Sequence, residues 1–211
     1  MGRILMRRTG LMRRIGIIAA LMGALVSMPI AAQVFSDGFE FLKAVKDRDG
    51  DKVTDALNEP GSTIVNTRDI TSGETALHIV TQRRDLVWIS FLTSRGANPN
   101  IRDKRGVAPL QLAVQVGFVE GAEALIKANA EVDVTDSSGE TPLIAAVHRR
   151  DIALIRLLLA NGASPDRSDN SGRTARDYAK LIGARSAVLA EFERADSERT
   201  NKASSPDYGP K

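Results

Sequence analysis

Four glycines, Gly73, Gly106, Gly139 and Gly172, recur every 33 residues, and similar residues follow each of them. Behind Gly73 runs Glu74-Thr75-Ala76-Leu77-His78-Ile79, and behind Gly106 comes Val107-Ala108-Pro109-Leu110-Gln111-Leu112. Behind Gly139 stands Glu140-Thr141-Pro142-Leu143-Ile144-Ala145, and the last copy, Arg173-Thr174-Ala175-Arg176-Asp177-Tyr178, is the most divergent. A fixed period of this length points to stacked units rather than one closed core. Each unit must then bury its apolar side against its neighbours, and the array offers a surface more than a vessel.

The chemistry of each copy predicts two helices. Thr75, Thr141 and Thr174 stand where a first helix begins, and a threonine hydroxyl there accepts from an unsatisfied backbone N–H. Pro109 and Pro142 follow at the first helical position, where the fixed φ suits the helix and no useful N–H is lost. Second helical stretches are expected over residues 86–92, 119–126 and 152–159. In the last of these, Ile155, Leu158 and Leu159 fall at helical spacing. Gly96-Ala97, Asn129-Ala130 and Gly162-Ala163 close them, because Gly or Asn takes a left-handed backbone with least strain. Asp103, Asp136 and Asp169 each precede their glycine by three residues, whereas Asp69 lies four before Gly73, so the first turn carries an insertion.

These residues resemble the ankyrin repeat, a turn with Asp and Gly, then Thr-Pro-Leu-His, then two antiparallel helices. The resemblance spans about residues 69–192. It implies an all-α ankyrin-repeat solenoid of about five helix-turn-helix units with degenerate capping repeats at both ends. The expected N-terminal cap, residues 33–68, holds two short helical runs around Phe41 and Val53 and lacks the signature. Pro60-Gly61-Ser62 stands there in place of Gly-Ala. In the last unit Arg176 replaces a core leucine, and Glu191 takes the position of Leu92, Leu125 and Leu158, as suits an end face that meets water. The polar stretch 193–211 is expected to be a disordered tail.

Residues 1–14 hold five arginines and no acid, residues 15–28 are compactly apolar, and Pro29-Ile30-Ala31-Ala32 follows. That order reads as a signal peptide, residues 1–32, cut after Ala32. Such a leader places the mature chain in the periplasm or outside the cell. A leader kept uncut would instead tether the chain to a membrane, and residues 15–32 fall just short of a comfortable span. Met12 is an alternative initiator, and Arg7-Arg8 leaves open whether export is general or twin-arginine. The leader carries five positive charges and no negative one, so its removal takes the net charge from +3 to about −2. Nothing global then favours nucleic acid, which calls for a basic stripe. The sequence has no cysteine, which excludes disulfides, thiolate metal sites and lipoprotein anchoring.

Catalytic motifs are absent from the sequence: no Gly-rich phosphate loop, no Gly-x-Ser-x-Gly, no His-Glu-x-x-His. No cofactor or metal is called for, and no enzyme activity is expected. Of the two histidines, His78 sits in the Thr-Ala-Leu-His motif. The resemblance gives it a structural role, hydrogen-bonding the neighbouring turn. His148 is expected to face solvent near a first-helix end.

In ankyrin-like arrays partners touch the turn tips and the exposed first-helix ends, which together form a concave face. Carried onto this chain, that implies partner-binding positions Glu74, Lys104, Arg105, Val107, Glu140 and Arg173 at the tips. The helix-end positions are Gln82, Arg83, Gln115, His148 and Arg149. Arg83-Arg84 and Arg149-Arg150 recur 66 residues apart. They serve either as cations near helix C-termini, where the dipole favours them, or as a cationic patch for an acidic partner segment. Trp88 is read as inter-repeat packing or as an interface anchor. Leu181-Ile182 is read as a contact spot or a seat for the tail. The expected function is a monomeric, non-enzymatic interaction module binding one protein partner. Resemblance to small exported bacterial ankyrin proteins implies stabilising or regulating an exported enzyme, including defence against oxidants. A membrane-tethered scaffold and a secreted effector binding host proteins are the alternatives.

Overall fold

The computed structural model of the protein describes residues 30–204, with side chains from 37 to 201. Ten helices follow one another: α1 (Ile30–Asp47), α2 (Gly50–Asn58), α3 (Ala76–Gln82), α4 (Leu86–Ser94), α5 (Pro109–Gln115), α6 (Val119–Lys127), α7 (Pro142–Arg149), α8 (Ile152–Ala160), α9 (Ala175–Ile182) and α10 (Ala187–Ser204). A short 3-10 turn, Ile64–Asn66, joins the first pair to the second. First helices pack in sequence order, α3 on α5 on α7 on α9, and second helices likewise, α4 on α6 on α8 on α10. Two helical layers result. Phe41, Leu42, Val45 and Val53 of the first pair belong to the same buried cluster as Leu77, Leu110, Leu143 and Phe192.

The local chemistry fits the expected elements. Thr141 Oγ1 accepts from Ile144 N–H at 3.2 Å and Thr174 Oγ1 from Asp177 N–H at 3.1 Å, closing the first turn of α7 and α9. Pro109 and Pro142 open α5 and α7. Asp85 and Asp151 carboxylates cap α4 and α8. Gly96, Asn129 and Gly162 close the second helices at φ of 85°, 65° and 89°. The first inter-helix turns are left-handed too, and there Arg48, Arg84 and Arg150 carry positive φ without being glycine. Each such residue costs roughly 1–2 kcal/mol.

The signal peptide expected over residues 1–32 lies almost wholly outside the described residues. Among the described residues no helix is long and apolar enough to cross a membrane. The tail expectation needs correction: α10 continues past Glu193 to Ser204. Its polar composition hides a lattice of ion pairs. Arg194 meets Glu191 and Glu198 at helical spacing, and Arg176 grips Asp196 with both nitrogens at 2.7 and 3.1 Å. Arg199 donates to the Ala163 carbonyl. The two substitutions in the last unit are thus partners rather than blemishes. Arg176 lies over Phe192, and Glu191 takes Arg156 in a two-point bond at 2.6 and 3.2 Å.

His78 is a buried tie between units. Its Nδ1 accepts from Thr75 N–H at 3.1 Å, and a backbone N–H can only donate, so Nδ1 is bare. The proton therefore sits on Nε2, which donates to the Val107 carbonyl of the next unit at 3.0 Å. Gln111 repeats the device one unit on, its Nε2 donating to the Glu140 carbonyl at 2.6 Å. Its Oε1 stays buried without a hydrogen-bond partner among the described residues.

Two outcomes are expected. Thr81 is buried with an unpaired hydroxyl, while the equivalent positions one and two units on are Val114 and Val147. Thr81→Val should raise stability by about 1 kcal/mol in urea unfolding; a lower midpoint would refute the unpaired-hydroxyl account. Burial holds the His78 pKa below its ordinary 6.5. The unfolded chain therefore binds that proton first, and stability present above pH 6.5 is lost as pH falls below it. Between pH 7 and pH 5.5 the native protein should lose stability faster than His78→Gln, with a slope of up to ~1.4 kcal/mol per pH unit. Parallel profiles for the two proteins would contradict the neutral, buried ring.

Candidate functional site

The turn tips are built by aspartates. Asp103 Oδ1 accepts from Arg105 and Val107 N–H, Asp136 Oδ1 from Ser138 and Glu140, and Asp169 Oδ1 from Ser171 and Arg173. Hydrogen bonds from Ser171 and Tyr178 hold the Asp169 carboxyl well below the usual carboxylate range. In the inserted first turn, Asp69 accepts from Thr71 and Ser72 instead, and Ile70 is left exposed. Backbone bonds then join tip to tip: Lys104 N–H to the Ser72 carbonyl, Ser137 to Arg105, and Asn170 to Ser138, at 2.9–3.2 Å. The tips form a ladder held edge to edge along the array.

Several sequence-predicted contact residues prove to be spent inside the molecule. Val107 is 4% exposed, and its carbonyl receives His78, so it is removed from the candidate surface. Arg83 is half-buried. Its Nη1 donates to the Val45 carbonyl one unit back, its Nε meets Asp85 at 3.2 Å, and its guanidinium lies 5.0 Å from the Trp88 ring centroid. Arg149 reaches one unit back in the same way, donating to the Gln115 main-chain carbonyl at 2.9 Å. Arg84 reaches forward to the Gly117 carbonyl at 3.0 Å. The 66-residue recurrence of arginine pairs is thus largely a set of straps between units. Arginine does this well because its rigid fork matches free carbonyls at helix ends. Trp88 packs edge-on to Phe91 at 5.9 Å beside the core, the packing alternative.

The other tip residues divide. Glu74 accepts from the Ser72 hydroxyl, Lys104 Nζ donates to the Ile70 carbonyl at 2.6 Å, and Arg105 pairs with the buried Asp103. Gln82 is exposed near the end of α3. Three predicted residues, Glu140, His148 and Arg173, are brought together at the C-terminal end. His148 Nδ1 lies 2.9 Å from Glu140 Oε1, and its ring stands edge-on to Tyr178 at 4.4 Å. Arg173 lies over that tyrosine ring at 5.9 Å, and the Tyr178 hydroxyl donates to Asp169 at 2.7 Å. Beside this cluster the ends of α7 and α9 enclose a recess of about 240 Å³, lined by Val147, His148, Arg150, Tyr178, Leu181 and Ile182. Leu181 is 70% exposed there.

Tyr178 is not among the sequence-predicted contact residues, and Arg150 enters there only through the Arg149-Arg150 pair. Tyr178 falls 33 residues after Ala145 and 66 after Leu112, a row of small or aliphatic first-helix residues, so an aromatic break in that row was the available signal. Among the described residues, no group of three or more histidines and carboxylates could hold a metal ion. The arrangement brings together a tyrosine ring, arginine and an exposed leucine, and tyrosine and arginine are the residue types enriched at the energetic centres of interfaces.

Two models of the ankyrin-repeat family match the chain. One, described as ankyrin repeats in three copies, covers residues 41–136, and the other, ankyrin repeats in many copies, covers residues 125–179. The chain is similar to transient receptor potential cation channel subfamily A member 1 of Homo sapiens, 46% identical over 43 residues, 20% of this chain and 4% of that protein. It is also similar to oxysterol-binding protein homolog 1 of Saccharomyces cerevisiae, 31% identical over 80 residues, 36% of this chain and 7% of that protein. The chain thus matches less than a tenth of either relative's length. Period, helix pairing, tip ladder and family match agree, and the chain belongs to the ankyrin-repeat family.

Proposed function

We propose that this ankyrin-repeat interaction module is exported to the periplasm and there binds one protein partner, without catalysis, through its turn tips and first-helix face. The observation that carries the reading is the cluster at the C-terminal end of that face, where Tyr178, His148, Arg173 and the exposed Leu181 converge. Aromatic residues and arginine dominate energetic centres of interfaces, because they bury much area while keeping a polar handle. The export half rests on residues 1–32, whose basic, apolar and small-residue segments follow the order of a cleavable leader. Stabilising or regulating an exported enzyme is the role this placement favours.

The test uses the full chain in producing bacterial cells, with a photo-crosslinking residue placed at Leu181 or Arg105 on one face. Control positions are Val87 and Ser90, exposed on α4. The expected result is a discrete cross-linked protein from the first pair alone, together with a mature N-terminus at Gln33 in the periplasmic fraction. Cross-links from Val87 and Ser90 only would overturn the assigned face. A membrane-bound chain that keeps residues 1–32 would replace export with tethering.

A further inference from the structure

Within three of the units, the turn between first and second helix holds a non-glycine residue in the left-handed region, and each time it is arginine: Arg48, Arg84 and Arg150. Two of them have intramolecular partners. Arg48 faces Asp85 at 4.0 Å, and Arg84 donates to the Gly117 carbonyl and lies over Phe118. Arg150 meets neither a carboxylate nor a carbonyl among the described residues, although it lines the recess at the ends of α7 and α9. The equivalent position one unit earlier is Gly117 and one unit later Gly183, so glycine would serve the backbone there. A strained arginine with no partner within the molecule is accounted for by a partner outside it.

The recess itself narrows what that partner is. At about 240 Å³ it lies below the roughly 300–1,000 Å³ of small-molecule pockets, and it suits a single anchoring side chain. Val147, Tyr178, Leu181 and Ile182 make its walls apolar. Leu181 is exposed at the end of α9, where the last unit joins α9 to α10 by four residues, 183–186, and the earlier inter-helix turns use two or three. Surrounding carboxylates are already engaged: Glu140 with His148, Asp151 with the N-terminus of α8, and Asp177 with Thr174. Arg185 adds exposed positive charge in the turn after α9. The unspent charge at the recess is therefore cationic.

We propose that this recess takes one leucine- or phenylalanine-like side chain of an acidic partner segment, with the Arg150 guanidinium pairing a carboxylate beside that anchor. This deepens the reading of an interaction module and rests on it. It places the acidic-segment specificity at Arg150 and Leu181, where Arg83, predicted from sequence for that role, is held by Val45 and Asp85. Two-point pairing of guanidinium and carboxylate fixes the register of the segment, and the apolar anchor supplies most of the affinity.

The experiment measures fluorescence anisotropy of short labelled peptides against the protein purified from cells producing the full chain. The probes carry a central leucine flanked by glutamates, the same with flanking lysines, and the glutamate peptide with alanine at its centre. Saturable binding of the first peptide alone is expected. Arg150→Gly, which relieves the left-handed backbone, should weaken it by about tenfold or more while leaving the unfolding midpoint equal or higher. Leu181→Asp should abolish it with circular dichroism unchanged. Equal binding of the lysine peptide, no saturable binding, or indifference to Arg150→Gly would overturn the proposal. So would a concentration-dependent dimer that Leu181→Asp abolishes, which would give the recess to a second copy. A partner cross-linked from Leu181 through a non-acidic segment would sink this inference while sparing the interaction-module reading, whereas no cross-link from that face would sink both.

Discussion

Hydrogen bonds that leave one helix pair and end on the next are the constraint on which the structure depends. A two-helix unit with a short turn buries too little apolar surface to stand alone, so its neighbours must supply both packing and polar partners. The chain meets this demand at three levels. At the tips, backbone N–H groups of one turn find carbonyls of the turn before. In the interior, His78 and Gln111 each pass a side-chain bond forward to a carbonyl of the next unit, one that also accepts a backbone N–H across its own turn. At the helix ends, arginines collect carbonyls that the helix leaves free.

That third level changes how the surface reads. Arg83, Arg84 and Arg149 look from sequence like a discontinuous basic face. In the folded chain their guanidinium groups reach along the stack and donate to main-chain carbonyls of neighbouring units. What remains for recognition is the fraction of the tip and first-helix face that internal bonding does not consume. On the proposed reading it centres where the repeat pattern breaks down: in the last unit, with its longer inter-helix turn and its tyrosine, and at Arg150. A degenerate capping repeat thus does two jobs. It closes the array through Arg176, Glu191 and Asp196, and its irregularity leaves an opening.

Much of the fold was legible because its period, Thr and Pro at helix starts, and left-handed Gly or Asn at helix ends are local rules repeated several times. The insertion at Asp69 was legible for the same reason, and it appears as a wider turn. The site was less so. Position alone makes Val107 a tip residue, yet β-branched and apolar, it turns inward where Glu74 and Glu140 stay partly in water. Arg83 and Arg149 were misjudged because the direction of a long side chain depends on a neighbour 34 to 38 residues away, which periodicity does not report. Residues 193–204 read as tail because composition counts charges without pairing them, and their helix rests on pairs with Arg176, Glu191 and Ala163.

Amide hydrogen exchange at Lys104, Ser137 and Asn170 tests the central claim most directly. These three tip amides lie in loops exposed to solvent, and only bonding to the preceding turn gives them partners. If successive layers are stitched edge to edge, all three exchange slowly and with similar protection, since opening one requires separating whole units. Exchange at the rate of free loop amides, or protection at one tip without the others, would show layers that lie side by side without being joined.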